Sequence, residues 1–137
     1  MIHYIENKPE GIMVHKTQES ILFKGSMKQY LTHLLTPRLT TLEGRIKALE
    51  AIAGFKRNIP IYIDEQCCFI STHNLRAVQS ILINVNAVYQ INALTHSKTQ
   101  IIFQRMSHTI IEQNIQIIKS RFKKANHLCQ KVNTFGQ

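Results

Sequence analysis

The run from Thr40 to Ile63 constrains this chain most, because it joins a helix with a marked start and stop to a β-strand through a basic corner. Thr40 followed three residues later by Glu43 has the spacing of a capping box, in which the hydroxyl accepts from a free helix N–H and the carboxylate reaches back to the cap. Leu42, Ile46, Leu49 and Ala53 recur at steps of four and three, so they share one helix face about 100° wide. That face is expected inside. Gly54 can take the left-handed conformation that ends a helix, which sets Lys56 and Arg57 beside the negative end of the helix dipole. Ile59-Pro60-Ile61-Tyr62-Ile63 then resumes at a period of two, and Pro60 removes a backbone donor that only an edge strand can spare.

The flanking sequence supplies packing for this run. Residues 1–10 have no clear period and close on the turn signal Pro9-Glu10-Gly11, so they are expected to form a loosely held arm. Ile12 to Lys16 and Ser20 to Lys24 read as a hairpin. Tyr30, Leu31, Leu34 and Leu35 have helical spacing behind a Ser26 cap, and Pro37 stops that helix at about Thr36. Arg38 sits in the link that follows. Downstream, Asp64-Glu65 makes a turn into a strand from Cys67 to Ser71, and Thr72 to Val78 is a polar loop. Gln79 to Asn86 alternates as a strand with one buried face, Val88 to Leu94 can continue it, and Lys98 to Arg105 closes a hairpin. The last element is expected to be an amphipathic helix from Ser107 to Cys129, capped by Ser107 or by the Thr109–Glu112 box. Its stripe is Ile111, Ile115, Ile118, Phe122, Ala125 and Cys129, and residues 130–137 are expected to fray. The order of elements is not the alternation that builds a parallel sheet. It implies a single α+β domain over 1–137: an antiparallel sheet of short strands, two helices after the first hairpin, and a C-terminal amphipathic helix.

Charge narrows the partner class. Seventeen Lys and Arg stand against eight Asp and Glu, a net charge of +9. Before Gln66 there are nine basic and seven acidic residues, whereas from Gln66 onward there are eight basic residues and only Glu112. A field of that sign concentrates polyanions, so nucleic acid or an anionic membrane surface leads. No apolar run approaches the roughly 20 residues of a membrane helix, and the N-terminus lacks a signal peptide's pattern, so the expected compartment is the cytoplasm and no membrane partner is expected.

Catalysis finds no material here. The carboxylates sit at caps, turns and helix flanks, the seven histidines are scattered without the i, i+4 pairing of a helical zinc site, and there is no Gly-rich phosphate loop or nucleophile elbow. The chain is expected not to be an enzyme and to need no cofactor or metal. Cys67, Cys68 and Cys129 form neither a disulfide framework nor a Cys-x-x-Cys pair; the vicinal two read as one thiol inward and one outward on a strand.

The candidate binding residues are Arg38, Arg45, Lys47, Lys56 and Arg57 around the organising helix, Arg76 in the loop beyond, and Lys119, Arg121, Lys123 and Lys124 on the last helix. Arginines in such a group can track phosphates or enter a narrow minor groove, because the planar guanidinium gives up its water more readily than an ammonium. The plain alternative for each is a solvated helix face.

The order of motifs resembles the competence transcription factor family, ComK. The resemblance runs through Leu-Glu-Gly-Arg-Ile-Lys-Ala with Gly44-Arg45, Ile59-Pro60-Ile61-Tyr62-Ile63, Phe69-Ile70-Ser71-Thr72, Arg76 and Ile81-Leu82-Ile83-Asn84, and ends in Ile111-Glu112-Gln113-Asn114 to Arg121-Phe122. It implies a bacterial activator of DNA-uptake genes that binds double-stranded, AT-rich promoter boxes, largely through the minor groove, as a homodimer or higher oligomer. In this sequence Leu82 stands where many relatives carry Trp, and the few residues after the terminal helix lead to the expectation that the tail through which an adaptor delivers some relatives to a Clp protease is lacking. The other two classes compatible with the residues are a non-enzymatic RNA-binding module and a protein-interaction adaptor; four Tyr, six Phe and no Trp leave the former little stacking material.

Overall fold

The computed structural model describes residues 1–134. Nine strands form two antiparallel sheets. β1 (Ile2–Lys8), β2 (Gly11–Lys16), β3 (Ser20–Phe23), β4 (Ile61–Asp64), β5 (Cys67–Ser71) and β6 (Ile81–Asn84) make a six-stranded sheet in the order β3-β2-β1-β6-β5-β4. β7 (Val88–Thr95), β8 (Lys98–Phe103) and β9 (His108–Ile111) make a three-stranded sheet in sequence order. Helices α1 (Met27–Leu35) and α2 (Leu42–Ala53) follow β3, and α3 (Ile115–Thr134) ends the described chain. The architecture is α+β, as the pattern of motifs implies.

The large sheet is buried on both faces along β4, β5 and β6, while β3 at its other edge is exposed. Ile5, Ile12, Val14, Ile61, Ile63, Phe69 and Leu82 pack on one side with Met27, Tyr30, Leu31 and Leu35 of α1. Tyr62, Cys68, Ile70 and Ile83 pack on the other with Ile101, Phe103 and Ile111 of the small sheet and Ile118, Ala125 and Leu128 of α3. A strand covered twice has no use for a polar side, which is why β4 to β6 read as nearly continuous apolar runs. β6 therefore departs from the expected single buried face: Leu82, Ile83 and Asn84 are all buried. Likewise Cys67 and Cys68 both turn inward, to opposite cores, and burial pushes the Cys67 thiol up to about 12. Helix α2 serves both layers: Leu42 joins the first core, while Leu49 and Ala53 join the second. Each fully buried Ile, Leu or Phe contributes about 1.5–3 kcal/mol, whereas an exposed ion pair contributes at most about 1 kcal/mol, so these two cores hold the fold.

Residues 1–10 are not a loose arm. β1 lies inside the large sheet, hydrogen-bonded to β2 on one edge and β6 on the other. A register shift between Ile2 and Tyr4 breaks its period, and the polar-looking His3 is buried, stacked on Phe103 at 5.1 Å. The Pro60 inference holds, since β4 is the sheet's edge strand. Gly54 takes φ 80°, and its N–H donates to Glu50 O to close α2. At the other end of α2 the cap is Thr41, not Thr40: Gly44 N–H donates to Thr41 Oγ1 at 3.0 Å, and the Thr40 hydroxyl turns to Thr41 O.

The largest correction concerns the segment from Ser107. It forms β9 rather than the start of a helix, because Arg105 and Met106 both take positive φ and turn the chain, and Phe103 N–H donates to Ser107 O. The β-branched run Thr-Ile-Ile then completes the small sheet. Helix α3 begins after Asn114, whose Oδ1 accepts from Gln116 N–H at 2.8 Å. It continues through Thr134, so residues 130–134 are helical where fraying was expected; 135–137 lie outside the described residues.

Thr41→Ala should cost about 1 kcal/mol in urea unfolding, and Thr40→Ala clearly less; equal losses would restore Thr40 as the cap. Burial, helped by the N-terminal amino group, holds the His3 imidazole below its ordinary value of 6.5, so neutral His3 supports the fold fully above that pH, and the support is lost as pH falls below it. Unfolding midpoints from pH 8 to about 5 should therefore fall on the acid side for the wild type, and His3→Gln should flatten that part of the curve.

Candidate nucleic-acid interface

Strand register decides which loops meet. Ser71 pairs with Leu82 and Ile61 with Phe69, so the β5–β6 loop and the segment entering β4 emerge at one end of the large sheet. Lys8 pairs with Gly11, and Phe23 with Ile12, which brings the β1–β2 turn and the β3–α1 link to the same end. The β7–β8 turn joins them through the loop before α3. Asn114 Nδ2 donates to His96 O at 2.7 Å, and Gln113 Nε2 donates to Thr72 O at 2.9 Å.

The β5–β6 loop is held firmly by its backbone. Thr72 Oγ1 accepts from Ile81 N–H, Asn74 Oδ1 accepts from Arg76 N–H, Asn7 Nδ2 donates to Val78 O, and His73 Nε2 lies 2.9 Å from Glu112 O. Arg76 stands exposed on this platform, and its guanidinium has no hydrogen-bond or ion-pair partner among the described residues. From there three shallow clefts run across the surface. The first, about 670 Å³, is lined by Lys8, Lys28 and Arg76 over Leu42 and Ile46. The second shares Ile46 and Leu75 with it and adds Lys56, Asn58 and Asn74. The third shares Asn58 and adds Gln116, Ser120, Arg121 and Lys124. The acids along this path are Glu43, 4.0 Å from Lys28, and Glu50.

The structure thus gathers Arg76, Lys56, Arg121 and Lys124, with exposed Arg57 next to Lys56. Arg121 is the least free of these. Its Nη1 donates to Ser71 O and Oγ, tying α3 to β5, and burial lowers its pKa. Lys124 sets its ammonium 5.3 Å from the centroid of the Phe55 ring, a cation–π contact that places the charge at the edge of the third cleft.

The other candidates are placed elsewhere. Arg38 pairs with Asp64 at the far end of β4 and donates to Leu34 O at 2.6 Å, so a strand length of about 13–16 Å separates it from the Arg76 end. Arg45 and Lys47 lie about 200° apart around α2, and it is Lys47 that borders the cleft-lining side of Ile46 and Glu50. On α3 the same 100° step turns Lys123 about 100° and Lys119 about 140° away from Lys124, on the side away from Arg121. Lys8, Lys28 and the β7–β8 turn with His96 and Lys98 were missed from sequence. Lys8 was hidden in the supposed arm, and the turn's position is set only by Gln113 and Asn114.

Among the described residues no group of three or more His, Cys, Asp or Glu is placed to hold a metal ion, and no helix is long and apolar enough to cross a membrane.

Comparison with known proteins agrees with the motif order. Among curated proteins no relative matches the chain. Of solved structures, a LytTr DNA-binding domain from Bacillus cereus is similar at a TM-score of 0.49 and 16% identity, covering 88% of this chain and 79% of that one, a likeness too slight to argue from. The ComK protein family model matches residues 2–135. With that span matched, the chain belongs to the ComK family of DNA-binding transcription factors.

Proposed function

We propose that this protein is a single-domain transcriptional activator of the competence (DNA-uptake) type, acting in the cytoplasm as a homodimer or higher oligomer on AT-rich promoter boxes, largely through the minor groove. The observation that carries this reading is Arg76, an unengaged guanidinium on a clamped loop in the middle of a basic track. The backbone of that loop is already fixed and loses little freedom on binding, and a narrow AT-rich minor groove offers the enhanced negative potential that favours arginine. Lys56, Arg57 and Lys124 then lie along one side as phosphate partners, and Lys8 and Lys28 along the other. Arg121 positions α3 rather than reaching outward. Arg38, Arg45, Lys47, Lys119 and Lys123 would touch DNA only if it extended past this end of the sheet.

Fluorescence anisotropy against an AT-rich duplex, a GC-rich duplex and single-stranded RNA over a salt series tests the reading. Arg76→Ala should weaken AT-rich binding by about 1–3 kcal/mol and narrow the AT-over-GC preference, with an unchanged thermal melt. An unaltered preference would remove Arg76 from base or groove readout. Lys56→Ala and Lys124→Ala should each reduce the slope of log K against log salt by about 1 and weaken all duplexes alike, whereas Lys119→Ala leaves the slope in place. Equal binding to all three nucleic acids by the wild type would reduce the site to a basic surface.

A further inference from the structure

The outer face of the three-stranded sheet has no partner among the described residues. Gln90, Ile102 and His108 form one row across it in register, and Asn92, Gln100 and Ile110 form the next. These alternate with Ile101, which faces the core. Tyr89 is 67% exposed, Ile110 51% and Leu94 47%.

Two properties set this face apart. In a chain of net charge +9, β7 has no charged residue, β8 has only Lys98 at its start, and β9 has only His108 as a titratable group. Its amides also satisfy one another: Gln90 Nε2 donates to Asn92 Oδ1 at 3.0 Å, and Asn92 Nδ2 donates to Gln100 Oε1 at 3.3 Å. Covering such a face strands few polar groups, which removes the usual cost of burying them.

We infer that this face docks a second copy of the same chain, sheet against sheet, about a two-fold axis parallel to the strands. The charge pattern selects the occupant, since two strongly positive molecules approach with least repulsion where each is neutral. The axis follows from the site already described, and the inference rests on that DNA-binding reading. Pairing β7 edge to edge would run the two copies antiparallel and point their basic ends apart. Stacking the faces about an axis along the strands points both ends the same way, toward one duplex. That operation lays Asn92 of one copy over Ile110 of the other, because the two residues flank Gln100 at one level.

The face is small. Three strands about 4.8 Å apart, with eight, six and four residues of about 3.3 Å, span roughly 300 Å², well under the area of a standard stable interface, so the contact works as cooperativity on DNA.

Anisotropy titrations should compare two AT-rich duplexes, one long enough for a single copy and one for two, using wild type, Ile110→Lys, Asn92→Glu and an equimolar mixture of the two variants. Wild type should bind the longer duplex about tenfold more tightly per copy. Each variant should lose that gain while keeping its single-copy affinity and urea midpoint, and the mixture should regain it by pairing lysine with glutamate across the two-fold. A gain retained by either variant, or lost by both and not restored on mixing, would overturn the inference. A wild type that binds both duplexes equally per copy overturns it alone, while a wild type that binds neither overturns the DNA-binding reading with it.

Discussion

The carboxamide of Asn84 joins the two halves of this molecule. It is fully buried at the end of β6, and its four hydrogen bonds go to four different places. Oδ1 accepts from Cys68 N–H and from Asn86 N–H, and Nδ2 donates to Ile2 O and Gln66 O. One side chain thereby ties β1 to the β4–β5 turn, and starts the short turn that hands the chain from the large sheet to the small one. A buried amide is costly unless every bond is made, and here each is made to backbone, so no neighbouring side chain can substitute for it. The strand order on either side of β6 depends on that geometry.

What could be read from sequence follows from where local rules act alone. The Ser26 cap, the Gly54 stop, the Pro60 edge and the β2–β3 hairpin are each decided within a few residues, and each stands in the structure. The misreadings arise where tertiary contact overrides a local signal. Ser107 and Thr109 have the chemistry of helix caps, yet a left-handed pair just before them and an open edge on β8 claim the segment as a strand. The first ten residues look aperiodic because a bulge shifts β1 by one place and a buried histidine takes the position of an apolar residue.

The binding surface was legible in kind but not in membership. Charge counts identified a polyanion partner, and family membership places that partner as DNA. They could not sort one arginine from another. Arg38 and Arg76 look equivalent in sequence, yet one neutralises Asp64 and the other is free at the opposite end of the sheet. Helix phase separates Lys124 from Lys123, and a carbonyl claims Arg121. Such distinctions require knowing which backbone oxygens lie nearby, and those come from strands distant in sequence.

That dispersal has a kinetic meaning. Lys8, Lys28, Lys56, Arg76 and Lys124 reach their common end only after β1, entering first, has been enclosed between β2 and the much later β6. Closing so long a loop carries its entropic cost before any contact repays it, which makes β1–β6 pairing a late and slow event. A chain still leaving the ribosome holds the same cations scattered, and the track is complete only when α3, which carries Lys124, has followed β6 out and docked.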